Sequence, residues 1–207
     1  MTTAAWDPRW VEAVTLEQLG ELVAQWLERR IAVPLQYGAA PPDSETDQLV
    51  PVLAQLNRAG FVTDDSQPGE IVGDSAQRAF VTGYCDQDIA ERLASVSVRE
   101  DLVVVSQPTD PRAPFQLPVT RDETNTSTSL SGTYAPCNGD DASWPWPGLR
   151  PEMRAVLLDT WYVSVCDPVW GRDDVLWPAL TAAMTRSTDD VRGSLIPPPG
   201  CIDVSQD

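Results

Sequence analysis

Residues 43–69 read as a helix that ends on a glycine and feeds at once into a strand, and this junction restricts the possible folds more than any other segment. The helix is predicted over about 44–59, with Asp43 or Ser44 offering an oxygen to a free N–H of the first turn. Leu49, Val52, Leu53 and Leu56 recur at helical spacing and make one apolar face. Pro51 lies inside that run, so it must kink the helix or begin a new segment. Gly60 stands where a left-handed C-cap residue belongs. Phe61-Val62-Thr63 then enters a sheet, and Ser66-Gln67-Pro68-Gly69 is predicted to turn out of it. Hydroxyls and a carboxylate thus gather near the end of a strand, a usual place for a small-molecule pocket.

The flanking segments extend the alternation. Residues 15–31 are predicted as an amphipathic helix capped by Thr15, with Leu16, Leu19, Leu22, Val23, Trp26 and Leu27 on its apolar face and Pro34 after it. A loop is expected over 35–42. Strands are predicted at 60–64 and 77–84, a helix at 86–97 and a strand at 102–106. Residues 107–149 are rich in proline and polar residues; short strands near 117–120 and 130–135 are expected within an irregular stretch. A helix at 150–159 carries Pro151 in its first turn. The run 160–166 is apolar enough for a central strand, a helix follows at 173–185, and 187–207 reads as a mobile tail around Pro197-Pro198-Pro199. Helices alternating with short β-rich runs predict a mixed α+β fold: a single layered domain over 1–186, with a mixed sheet and flanking helices.

Composition narrows the chemistry. The 207 residues suffice for one domain with a real core or two very small ones. There is no histidine and no lysine, so all 14 cationic side chains are arginine. Ser–His and Cys–His nucleophile pairs, a P-loop lysine and Schiff-base chemistry are therefore excluded. The net charge of −17 disfavours direct contact with nucleic-acid phosphates. Carboxylates are scattered, with pairs at Asp64-Asp65, Asp140-Asp141, Asp173-Asp174 and Asp189-Asp190, rather than set in rows as a DNA mimic would need. Cys85, Cys137, Cys166 and Cys201 are widely spaced and predict neither a disulfide framework nor a structural metal. No apolar run is long enough to span a bilayer and no signal peptide is visible, so a cytoplasmic location is expected.

Three groups of residues carry a resemblance. The first comprises Glu45-Thr46, Asn57-Arg58-Ala59-Gly60 and Val62-Thr63-Asp64-Asp65-Ser66-Gln67-Pro68; the second is Gln77-Arg78-Ala79-Phe80; the third is Trp161-Tyr162-Val163-Ser164-Val165 with Asp173-Asp174-Val175-Leu176-Trp177. In this order they resemble the C-terminal S-adenosylmethionine-binding regulatory domain of eukaryotic-type methylenetetrahydrofolate reductase, over roughly half the chain. The resemblance implies a mixed α and β domain, free-standing here because the chain shows no pattern for the flavin-containing barrel that family carries, so folate reduction is not implied. It departs where Asp64-Asp65 replaces an Ile-Asn pair and where the stretch before Gln77 lacks Trp-Gly and Gly-Gly-Tyr elements.

By that resemblance Glu45 and Thr46 at the helix start, and Thr63 and Ser66 along the strand and turn, are the ligand-binding candidates, with Thr120 matching a later threonine. The implied ligand is S-adenosylmethionine or S-adenosylhomocysteine, with no metal, and the implied role is a sensor acting through a protein partner or a homodimer. A carboxylate suits an ammonium and a sulfonium, hydroxyls suit a head group or ribose, and an apolar wall suits adenine. Read from the residues alone, Glu45 is also a favourable first-turn charge, Thr63 an ordinary β-branched strand residue and Ser66 a brace for its own turn. Two other functions fit the sequence: an enzyme using Glu45, Asp64 or Asp65 as acid or base on a nucleoside-like or amino-acid-like metabolite, and an acidic interaction protein or DNA mimic. Trp10, Trp26, Trp161 and Trp177 are expected in the core, and Trp144 and Trp146 in an exposed loop that could cap a pocket or form a contact patch. Asp167, Asp173 and Asp174 are expected in a solvated loop and helix N-terminus.

Overall fold

The computed structural model describes residues 8–31, 42–110, 115–122, 124, 127–133 and 149–185. The expected loop at 35–41, Trp144 and Trp146, Cys137 and Cys201, and the expected tail at 187–207 lie outside them. In chain order the elements are α1 (Arg9–Glu12), α2 (Leu16–Leu27), a 3-10 turn (Ser44–Thr46), α3 (Val50–Arg58), β1 (Val62–Gln67), β2 (Ile71–Val72), β3 (Ser75–Gln77), β4 (Phe80–Cys85), α4 (Gln87–Arg99), β5 (Val103–Pro108), β6 (Phe115–Arg121), β7 (Ser127–Thr133), α5 (Pro151–Leu158), β8 (Trp161–Cys166) and α6 (Leu176–Thr185).

The fold is α+β, as the alternation predicts. The strands form two four-stranded sheets, ordered β1-β4-β8-β5 and β2-β3-β6-β7. Every ladder is antiparallel, so the expected single mixed sheet is replaced by two antiparallel ones. The division falls inside the predicted strand 77–84: Ser75–Gln77 pairs with β6 in the second sheet, and the chain resumes as β4 in the first. β8 is central as its apolar run predicts, between β4 and β5. Helices α2 and α3 pack on each other and on β1, while α4 rests on β5 and β8 and touches α6. Leu19, Val23, Leu53, Leu56, Phe61, Val81, Leu93, Val163 and Leu180 are among the buried residues of this main core. A smaller core of Phe80, Val119 and Cys166 joins the two sheets.

The helix–glycine–strand junction forms as read, with two adjustments. Pro51 starts a new helix, so the expected long helix is a 3-10 turn followed by α3 with proline in its first turn. Neither Asp43 nor Leu49 makes a side-chain cap bond at these starts. Gly60 has φ of +93°, the left-handed value that lets the chain reverse into β1. Ser66 and Gln67, expected in a turn, still pair with Val81 and Phe80 as the last residues of β1. Strand pairing wins there because the side chain of Gln67 is anchored across the sheets, as described below.

Asn57 locks the junction. Its amide nitrogen donates to the Leu53 carbonyl and to the Thr63 hydroxyl, both at 2.8 Å, and its amide oxygen accepts from the Thr63 N–H at 3.0 Å. The side chain is fully buried, so each lost bond leaves a group that water does not rescue. Its neighbour Arg58 points the other way, donating to Glu21 through Nε (2.8 Å) and to Glu28 through both terminal nitrogens (2.7 and 2.8 Å). These bonds hold the carboxyls of Glu21 and Glu28 below their ordinary range. Asn57→Ala should lower stability by about 2–3 kcal/mol, because several buried hydrogen bonds go unmet. Urea denaturation should show a lower midpoint with an unchanged slope.

Candidate functional site

A cleft of about 400 Å³ lies where the 3-10 turn, the end of α2, α3 and β1 meet. Its lining includes Trp26, Leu27, Leu53 and Phe80, the hydroxyl residues Thr46, Thr63 and Ser66, and the carboxylates Asp43, Glu45, Asp64 and Asp65. Four of the five residues singled out in the sequence, Glu45, Thr46, Thr63 and Ser66, therefore face one cavity. Thr120 does not line it. It sits on β6 and donates its hydroxyl to the Gln67 side-chain oxygen at 3.1 Å, one residue removed from the cleft.

Gln67 is a cleft residue whose polar atoms are already engaged. Its amide donates to the carbonyls of Arg78 (3.1 Å) and Val119 (3.0 Å), and its oxygen accepts from Thr120. It therefore fastens the end of β1 to the second sheet. Gly69 follows, against the backbone of Arg172, where a Cβ would overlap the Arg172 carbonyl. The Gly69 N–H donates to Asp173 (2.8 Å), and the same carboxylate oxygen accepts from the Trp177 indole (2.7 Å). Asp173 thus ties the start of α6 to the exit of β1. Asp167, expected in a solvated loop, is fully buried; it accepts from Arg172 (2.6 Å) and from the Val169 N–H (2.8 Å). The charge is tolerated there because both oxygens have donors.

A bulge shapes the acidic wall. Thr63 pairs with Gly83 and Asp65 with Thr82, which leaves Asp64 as an extra residue on β1. Such an insertion bends a strand and re-aims its side chains. Asp64 is fixed by hydrogen bonds from the hydroxyls of Thr82 (2.5 Å) and Tyr162 (3.1 Å). Tyr162 is itself held edge-on to Tyr84, with ring centroids 5.0 Å apart. Asp65 is different. Its side chain is open to the cavity, yet protein surrounds it on the remaining sides, as happens in a concave wall. This enclosure pushes its carboxyl above the ordinary aspartate range, and the charge of Glu45 across the cleft pushes in the same direction.

Sequence reasoning placed Trp26 in the core and Asp43 at a helix cap; the structure brings both to the cleft. Trp26 is half-buried and also packs on the core, so helical periodicity had no means of separating the two roles. Among the described residues no three carboxylate or cysteine side chains converge on a point able to hold a metal ion. Among the same residues no helix is long and apolar enough to cross a membrane.

A helix-flanked protein of two antiparallel sheets, with an acidic and hydroxyl-bearing cleft at a helix–strand junction, is the class these elements define. The chain belongs to the family described as a domain of unknown function, DUF6919, whose model matches residues 6–187. Its sequence matches none of the curated proteins.

Because folding raises the proton affinity of Asp65, ionised Asp65 opposes the folded state, and stability contributed by its protonated form is lost as pH rises through the raised value. Asp65→Asn should melt higher than the parent at pH 7. The gain should vanish below about pH 4, where the unfolded aspartate is protonated too. Thermal melts across that range check the sign.

Proposed function

We propose that this chain is a small-molecule-binding module for S-adenosylmethionine or S-adenosylhomocysteine, passing its occupancy on to a protein partner or a second copy of itself. The observation that carries the reading is the convergence of Glu45, Thr46, Thr63 and Ser66 on one cleft with an apolar floor. Glu45 accepts the ammonium group, the three hydroxyls bond the head group or ribose, and Leu53, Phe80 and Trp26 cover the adenine. The acidic wall makes S-adenosylmethionine, with its sulfonium charge, the better of the two ligands. The Asn57 clamp supports a signalling role. A ligand that bonds the Thr63 hydroxyl pulls on a residue tied directly to α3. Buried, unpaired thiols at Cys85 and Cys166 fit the reducing conditions of the cytoplasm, where we place the module.

The carboxylate pair favours a second reading. Burial pushes the Asp65 carboxyl up within the cleft, beside Asp64, which two hydroxyls hold, and a carboxyl raised in this way suits acid–base work. In that case the cleft would turn over a nucleoside-like or amino-acid-like metabolite, and product formation would be lost in Asp65→Asn.

Titration calorimetry tests the first reading. S-Adenosylmethionine should bind saturably and more tightly than S-adenosylhomocysteine. Glu45→Ala should weaken it by roughly tenfold, the worth of one charge-assisted hydrogen bond. Heats indistinguishable from dilution with both ligands would end the proposal.

A further inference from the structure

We propose that the cleft prefers an organic cation and disfavours a carboxylate on it, so that the decarboxylated form of an adenosyl sulfonium is held more tightly than S-adenosylmethionine itself, with the apolar or aromatic body on the floor and the positive charge at the rim. The proposal rests on the reading of the cleft as a small-molecule site and narrows its ligand class. Floor and rim differ in depth and in chemistry. Leu27, Leu53 and Phe80 are at most 5% exposed, and Thr63 is 7% exposed. Asp43, Glu45 and Asp65 are open to solvent. A floor of that kind suits a flat or aliphatic body.

Thr63 adds direction. Its hydroxyl oxygen already accepts the Asn57 amide, so its own hydrogen is available to an acceptor on the ligand body. Gln67 has no such capacity, because both its amide hydrogens and its oxygen are engaged.

At the rim Asp43, Glu45 and Asp65 surround the entrance, with Asp64 behind them. Among the described residues no arginine lines the cleft, and none occurs in the sequence between Arg30 and Arg58. Among the described lining residues a ligand carboxylate would meet like charges and no cation. An ammonium or sulfonium meets carboxylates and the indole of Trp26, the ring that best attracts cations.

Calorimetry with three probes sharing one adenosyl body tests the selection. Decarboxylated S-adenosylmethionine keeps both cations and lacks the carboxylate, S-adenosylmethionine has all three charges, and 5′-methylthioadenosine is the neutral body. The decarboxylated probe should bind at least about fivefold tighter than S-adenosylmethionine, on the scale of one exposed charge contact. The ratio should shrink as salt is raised. It should move toward unity in a Glu45→Gln, Asp65→Asn double variant. Glu45→Gln alone, at an exposed turn, gives the same direction if the double variant does not fold. S-Adenosylmethionine binding as tightly as, or tighter than, its decarboxylated form overturns the selection and leaves the small-molecule reading standing. Failure of all three probes to bind overturns both.

Discussion

The buried amide of Asn57 is the contact on which the arrangement of the cleft depends. One side chain satisfies a helix carbonyl, a strand N–H and a strand hydroxyl. It therefore fixes both the angle and the register at which β1 leaves α3. With Thr63 set, the bulge that follows has only one position, and that position decides which way two successive carboxylates face. A buried polar group with every partner in place specifies a single arrangement, where an apolar contact would allow sliding. The cleft is in this sense a by-product of how a helix is joined to a strand.

A second joint holds the far end of β1. Gln67 reaches to the backbone of β6, and Asp173 connects Gly69 to Trp177. The strand is thereby pinned at Thr63 to α3 and at Gln67 and Gly69 to the second sheet and α6. Asp64, Asp65 and Ser66 lie between two anchored points. That is a sound place for side chains that must keep their geometry, since rigid supports limit the error in what they carry.

Much of this was legible in the chain. The order of helices and strands, the Gly60 stop and the central place of β8 follow from periodicity and from residue conformational preference, which are local. Glu45, Thr46, Thr63 and Ser66, singled out through the resemblance, line one cavity because they flank a single helix–strand junction. The partition into two sheets was not legible, since it falls within the strand expected at 77–84, and which distant strand each part meets is not a local property of the sequence. The bulge was hidden for a related reason: Asp64-Asp65 is an ordinary polar pair until Thr82 and Tyr162 claim one of them. Asp167 looked solvated because its partner, Arg172, is paired through a loop that no periodic pattern marks. Thr120, matched to a later threonine through the resemblance, stands outside the described lining and bonds the cleft residue Gln67, a pairing across two sheets that the sequence does not mark.

β1 is also the outer strand of its sheet, and outer strands tend to recruit other chains through their unpaired backbone groups. An irregular ladder and two adjoining negative charges are among the devices by which proteins discourage that pairing. The residues that line the cleft thus also give this edge a form ill-suited to pairing with a copy of itself. Replacing Asp64 or Asp65 by neutral residues would remove one of these devices, so the lining of the cleft and the behaviour of the strand edge change together. Two carboxylates on one bulge belong at once to the wall of a cavity and to the open edge of a sheet.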